Sequence, residues 1–365
     1  MTRFTRTLGR TLGLVVLATL ALHCGSPQAD RYTRQRAQTS LHKLEDPGLV
    51  LGEFSLTKVT DGDTVRVDGL DASLRLIGMD AEEIFHHEKD RRAVEADWDQ
   101  YLKDQRGTSH HPVKMSTPLG EEAKRFAQQF FTIGGKVRIE RDDPRQIRDR
   151  YDRYLAYVLV EKDGRWLNYN VEAVRAGMSP YFMKYGWSRR FDAEFKAAEA
   201  EARAAHRGIW SADGRHYPDY DERARWWIAR ADFVAGFQKD AAGHDDFIDL
   251  TDWDALDRIE KAKGKPVTLL GTVGNVYMGD RGPTRVMLSR RMGSDFPIIF
   301  FDKDLFATSK LGEWKGEFVR ISGVVTEYTN KHNGKTQLQI VVDRPSQVAL
   351  SQVEPAPAAA EEDAP

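Results

Sequence analysis

The chain has 365 residues, 41% hydrophobic and 30% charged, with a formal net charge of −2. This is the composition of a globular protein of about two domains, and it excludes collagenous and low-complexity classes. With so little net charge there is no overall field to attract a polyanion, so any such contact must come from local clusters. The single cysteine, Cys24, excludes an internal disulfide.

The N-terminus predicts export. Arg3, Arg6 and Arg10 precede an apolar run over 12–22, which is shorter than the roughly 20 residues needed to span a bilayer. Cys24 follows directly, and a lone cysteine there resembles the lipidation site of bacterial lipoproteins. His23 departs from the small residue usual before such a cysteine, and ordinary secretion or an uncleaved anchor are the alternatives. The expectation is a signal peptide over 1–24, a location in the cell envelope or outside the cell, and membrane attachment only through a lipid on Cys24. A polar, aperiodic tether over 25–49 follows.

A first folded domain is expected over 50–212. Strand-like alternation occurs at 54–59, 64–67 and 74–79, and again at 137–140 and 154–160. Between them Thr117 and Pro118 open a helix whose apolar face is Ala123, Phe126, Ala127 and Phe130, and Gly134-Gly135 ends it. Helices are also expected near 170–176 and from about 189 to 206, the latter capped by Ser188. The stretch 84–116 reads as a long charged insert with a short helix near Val94, Trp98 and Tyr101, and its histidine pairs read as exposed loop residues. A helical connector is expected over 213–263. Over 264–350, five short strands with a helix-like gap near 302–311 predict a small OB-like barrel. The Ala/Pro/Glu-rich tail over 351–365 predicts disorder.

Three stretches carry chemistry. In "TKVTDGDTVRV", the turn Asp61-Gly62-Asp63 is an ordinary hairpin signal taken alone. "LRLIGMDAEE" puts Arg75 on a strand, Asp80 at its end and Glu83 three residues on. "DRYDRYLAYV" supplies Tyr151 and Arg153. Singly, each reads as a turn or solvated charge. Together they supply what phosphodiester hydrolysis requires: cations at the phosphoryl oxygens and a base to deprotonate water. Asp63 and Asp80 also offer the hard oxygen ligands that suit Ca²⁺.

With Gly120-xx-Ala123 opening a helix and Arg207-Gly208-Ile209-Trp210-Ser211 closing the domain, these blocks resemble the staphylococcal (micrococcal) nuclease or thermonuclease family, in order and in spacing. The resemblance implies a mainly β fold with helices (α+β), a thermonuclease-type OB barrel, here followed by a second small OB-like barrel. It implies a Ca²⁺-dependent endonuclease that acts on DNA and RNA and leaves 3′-phosphate ends. Asp63 and Asp80 would ligate Ca²⁺ with the backbone carbonyl of Ala81, Glu83 would be the general base, and Arg75 and Arg153 would hold the scissile phosphate. Tyr151 would bind a second phosphate and Tyr185 would stack on a base.

The sequence departs from the family where Ala81-Glu82-Glu83 replaces a Pro-containing turn. Loss of the proline predicts a looser turn, and Glu82 is a rival for metal binding or for the role of base. In the second barrel Tyr277, Arg281, Arg285, Arg290, Arg291 and Tyr328 are candidates for a nucleic-acid surface; a protein-binding or structural role is the alternative. No protein partner is identifiable. The competing reading of the whole chain is a catalytically inactive nucleic-acid-binding or envelope-scaffold lipoprotein.

Overall fold

The computed structural model describes residues 48–109, 112–279, 282–289, 295–331 and 334–351. The expected signal peptide with Cys24, nearly all of the tether, the tail, and Arg281, Arg290 and Arg291 lie outside the described residues.

Among the described residues the fold has eight α-helices and two five-stranded closed barrels. The first barrel uses β1 (Val50–Val59), β2 (Thr64–Val67), β3 (Leu74–Leu76), β5 (Lys136–Glu140) and β6 (Tyr154–Lys162). β2 pairs with β1 and β3, and β5 with β1 and β6, all antiparallel; a parallel pairing of β3 with β6 closes the ring. A register shift between Leu56 and Lys58 lets the long β1 bend from one partner to the other, as closure of a small barrel demands. Inward alternation puts Leu56, Val65, Leu74, Leu76, Ile139 and Val158 in a fully buried core.

The strand expected over 74–79 is interrupted. After β3 the chain turns at Ile77, and β4 (Gly78–Met79) leaves the barrel to pair with β8 (Tyr181–Phe182); β7 (Arg165–Asn168) extends the sheet at β6. The insert holds two helices rather than one, α1 (Glu88–Ala96) and α2 (Trp98–Arg106), broken at Asp97, whose carboxylate accepts from Gln100 N at 2.9 Å and caps the second. α3 (Pro118–Phe130) starts as expected, with Thr117 Oγ1 accepting from Gly120 N at 3.1 Å. α4 (Tyr169–Arg175) and α5 (Asp192–Ala204) pack on each other beside the barrel.

The second barrel repeats the strand connectivity of the first. β10 (Pro266–Tyr277), β11 (Thr284–Ser289) and β12 (Phe296–Phe300) form an antiparallel meander, and β13 (Phe318–Thr329) pairs with β10 and β14 (Thr336–Val342). A parallel β12–β14 pairing closes the ring. The helix between third and fourth strands, α3 in the first barrel, is α8 (Lys303–Ser309) in the second. A strand not legible in the sequence, β9 (Phe247–Asp249), runs parallel to β10, and β15 (Val348–Leu350) flanks β13.

The link between barrels contains α6 (Tyr220–Asp240) and α7 (Ala255–Lys261). α6 serves both barrels: Trp227 and Ala231 sit in the first core, while Val234 and Phe237 cluster with Leu270 and Phe318 of the second. Arg230 pairs with Glu317, the Trp226 and Trp314 rings lie 5.7 Å apart, and Trp253 N donates to Arg145 O at 3.0 Å.

Candidate active site

The Asp-Gly-Asp turn divides its labour. Asp61 serves the turn, its Oδ1 accepting from Asp63 N at 3.1 Å; burial, followed by the neighbouring Asp63 charge, pushes its carboxyl up to about 6. Asp63 faces inward. Its Oδ1 accepts from Thr64 Oγ1 at 3.0 Å, its Oδ2 accepts from Ala81 N at 3.1 Å, and it pairs with Arg75. Between them, Gly62 allows the turn to press on the rest of the site. A Cβ there would lie 2.7 Å from Ala81 Cβ and 2.8 Å from Ala123 Cβ, closer than carbon atoms approach.

Arg75, on β3 opposite Thr64, is the hub. Its buried guanidinium bridges Asp63 and Asp80 and also donates to Met79 O. Asp80 is fixed from behind by its N–H, which donates to Ser179 Oγ at 2.8 Å. Burial alone would raise the Asp80 carboxyl, but Lys114 and then Arg75 outweigh it and hold it down to about 2. Lys114, from the end of the insert, puts its ammonium 2.8 Å from Asp80 Oδ1 and 3.5 Å from Glu83 Oε1. Glu83 is half-exposed, and its backbone is pinned: Thr117 N donates to its carbonyl at 3.0 Å, against which Gly120 packs directly.

Glu82 corrects both expectations drawn from the missing proline. It does not line the cleft, where it could serve as a ligand or a base, and is 2% exposed. Its Oε1 accepts from Tyr217 N and Tyr220 OH, each at 2.7 Å, and its Oε2 accepts from Thr117 Oγ1. The turn is held rather than loose: a buried carboxylate with three donors ties the start of α3 and the start of α6 to the segment carrying Asp80 and Glu83. Burial raises its pKa, and the three hydrogen bonds oppose that rise.

The tight turn over 149–153 carries the second arginine. Asp149 accepts from Tyr151 N and Arg153 N, each at 2.9 Å, and grips the Arg153 guanidinium at 2.8 Å (Nε) and 2.7 Å (Nη2). Tyr151 is 64% exposed, with the Arg150 and Arg153 guanidinium groups 5.5 and 5.6 Å from its ring centre. Asp63, Arg75, Asp80, Glu83, Tyr151, Arg153 and Tyr185 all line one cleft of about 450 Å³, so residues far apart in the chain meet at one barrel end. Ala81 is buried, and its N–H meets the site at Asp63. Burial pushes the Tyr185 hydroxyl up to about 12.

Sequence reasoning missed Lys114 and Lys184. Both line the cleft, and burial lowers the Lys184 ammonium to about 8, partly offset by Asp80. A lysine at the end of a charged insert carries no sequence signal, since its partners lie over 30 residues away in the chain.

The donor set fits a hard divalent cation. Asp63 and Asp80 converge on a single guanidinium, so both carboxylates lie within reach of one cation. Among the described residues no group of three or more His, Cys, Asp or Glu side chains could hold a metal.

The family model described as staphylococcal nuclease homologue matches residues 73–212. That stretch holds Arg75, Asp80, Glu83, Tyr151, Arg153 and Tyr185, and leaves Asp63 and the second barrel outside it. An uncharacterized protein of Methanocaldococcus jannaschii is 30% identical over 164 residues, covering 43% of this chain and 70% of the relative. The chain belongs to the staphylococcal nuclease homologue family. A thermonuclease of Staphylococcus hyicus is similar too, 29% identical over 166 residues that cover 43% of this chain and 75% of the relative. A nuclease-like function accords with this membership and with the cleft. In this nuclease homologue Lys114 lies within the matched region and the second barrel lies outside it.

Proposed function

We propose that the protein is an exported Ca²⁺-dependent nuclease that hydrolyses phosphodiester bonds of DNA and RNA and leaves 3′-phosphate ends. The observation that carries this reading is the convergence of Asp63, Arg75, Asp80, Glu83 and Arg153 on one cleft. Asp63, Asp80 and the Ala81 carbonyl would hold the cation, which supplies Lewis-acid polarisation of a phosphoryl oxygen.

The protein's own groups do the rest. Glu83, half-exposed at the mouth, accepts a proton from the attacking water. The water oxygen bonds to phosphorus, the P–O5′ bond breaks, and the departing 5′ oxygen takes a proton from solvent, so the phosphate stays on the 3′ side. Arg75 and Arg153 bind the equatorial oxygens, where charge accumulates; the planar fork that Asp149 orients on Arg153 suits a pair of oxygens. Tyr151 hydrogen-bonds a second phosphate, and Tyr185 stacks on a base.

Release of acid-soluble nucleotides from DNA with Ca²⁺, and its loss in excess chelator, tests the reading. Undiminished activity in protein shown by elemental analysis to be metal-free would refute the metal dependence. Export and lipid attachment through Cys24 belong to the same proposal, supported by the basic and apolar residues that precede it. If they hold, Cys24→Ser moves the protein out of the membrane fraction.

A further inference from the structure

Arg153 sits on a turn, and a turn holds a side chain only as well as the turn itself is held. Within the turn over 149–153, Asp149 grips the Arg153 guanidinium. The turn as a whole is gripped by Arg148, a residue with no part in the chemistry above. The Arg148 side chain is 1% exposed. Its Nη1 donates to the Asp152 carbonyl at 2.9 Å and to the Asp152 carboxylate at 3.2 Å. Its Nη2 donates to Asp71 Oδ1 at 2.7 Å and to the Tyr154 hydroxyl oxygen at 2.5 Å. Both Nη groups are thus fully engaged, which leaves neither with a proton for a phosphate. The guanidinium carbon also lies 4.0 Å from the Tyr154 ring centre, and Tyr154 OH donates to Asp71 Oδ1 at 2.8 Å.

The two ends of this fork serve different segments. Asp152 belongs to the turn that carries Arg153. Its φ of 68° is a left-handed conformation that a residue with a side chain keeps where its neighbours fix it. Asp71 lies in the bend between β2 and β3, just ahead of Arg75 on β3. One buried guanidinium therefore spans the two segments that bear the arginines of the cleft. Asp149 keeps Arg153 rigid within its turn, and Arg148 sets where that turn stands relative to the β2–β3 bend.

That spacing matters to the reaction. Two guanidinium groups that share one phosphoryl group must both reach its oxygens, and a displacement of about 1 Å can cost about 10²-fold in rate.

Resting on the nuclease reading above, we infer that Arg148 is a positioning residue: by tying Asp152 to Asp71, it sets the separation of Arg153 from Arg75. It acts on the transition state only through Arg153.

The test uses the full-length protein with Ca²⁺ and a fluorescein-labelled oligothymidine. Arg148→Lys keeps the charge and loses the fork that spans both segments. It is expected to lower kcat about tenfold or more with KM within about threefold of the wild type. Asp71→Ala cuts the other end of the link at a side chain that is 32% exposed, and is expected to change kcat and KM in the same pattern. A double-mutant cycle decides the route of action: in an Arg153→Lys background, Arg148→Lys is expected to change kcat by about threefold at most. A second readout needs no substrate. The Arg153 Nε–H resonance, identified by its loss in Arg153→Lys, is expected to be sharp in the wild type, where that proton is donated to buried Asp149. It should shift or broaden in Arg148→Lys and in Asp71→Ala.

Wild-type kcat in folded Arg148→Lys and Asp71→Ala overturns the inference, as does a loss that persists undiminished in the Arg153→Lys background. A lowered Tm with unchanged kcat for the folded fraction would make Arg148 a structural residue only, and also overturns it. If Arg148→Lys does not fold, the same cycle with Asp71→Ala decides. If the wild type cuts no DNA while the resonance responds to both variants, the nuclease reading fails and the tie from Arg148 to Arg153 stands. If DNA is cut but neither rate nor resonance responds, the reverse holds.

Discussion

The ammonium of Lys114 lies 2.8 Å from Oδ1 of Asp80, on the carboxylate that a divalent cation would use. The insert thus brings its own positive charge to the Asp63/Asp80 end of the cleft, and a cation held there would have to compete with it. Lys114→Met is expected to bind Ca²⁺ about tenfold or more tightly than the wild type, as read by titration calorimetry. Adding Asp80→Asn to that variant should abolish the gain. Unchanged Ca²⁺ affinity in Lys114→Met would show that the lysine yields at no cost.

Adjacent glutamates should fail in different ways. Glu83→Gln keeps size but cannot take the water's proton, so turnover should fall by about 10²–10⁴-fold with Tm and DNA affinity retained. Glu82→Gln leaves an amide facing donors on every side. It should lower stability by about 1–3 kcal/mol while the folded fraction still turns over. Denaturant melts and initial rates on both variants distinguish them, and the opposite pattern would move the base to Glu82.

Arg153→Lys keeps the charge and loses the fork. Asp149 holds the guanidinium through two nitrogens, and a lysine offers a single point of contact. Turnover is expected to drop about 10²-fold or more, with a smaller change in binding. A near wild-type rate would move Arg153 from transition-state stabilisation to general attraction of phosphate.

Gly120 governs the position of Glu83, the proposed base. A Cβ there would come within 2.2 Å of the Glu83 carbonyl oxygen, and neither backbone has a free path away, since Thr117 N also bonds that carbonyl. Gly120→Ala is expected to displace Glu83 and cut kcat about tenfold or more while leaving oligonucleotide affinity close to wild type. Loss of affinity in proportion to kcat would mean that the whole cleft had shifted.

Most of the barrel architecture was readable because inward alternation and turn chemistry are local. The 64–67 strand and the Thr117-Pro118 helix start are found as expected. Features decided by distant partners were not readable. The strand expected over 74–79 breaks because Met79 pairs with Tyr181, more than a hundred residues away. The last helix of the first domain begins at Asp192 rather than near 189; Ser188 Oγ instead accepts from Phe191 N at 2.9 Å, capping the turn that precedes it. In the site, residue types announced the carboxylates and arginines, whereas the inward burial of Glu82 depends on Tyr217 and Tyr220, which no spacing near Glu82 could reveal.

α6 gives its first half to one core and its second half to a cluster with the other. Heat therefore cannot melt either barrel and leave this helix properly covered. Scanning calorimetry should show one transition for the pair, with a calorimetric enthalpy that matches the van't Hoff value. The same sharing sets a rule for engineering: a chain cut before β10 would leave Val234 and Phe237 against water, so the second barrel cannot be removed as a detachable module without a repaired helix face.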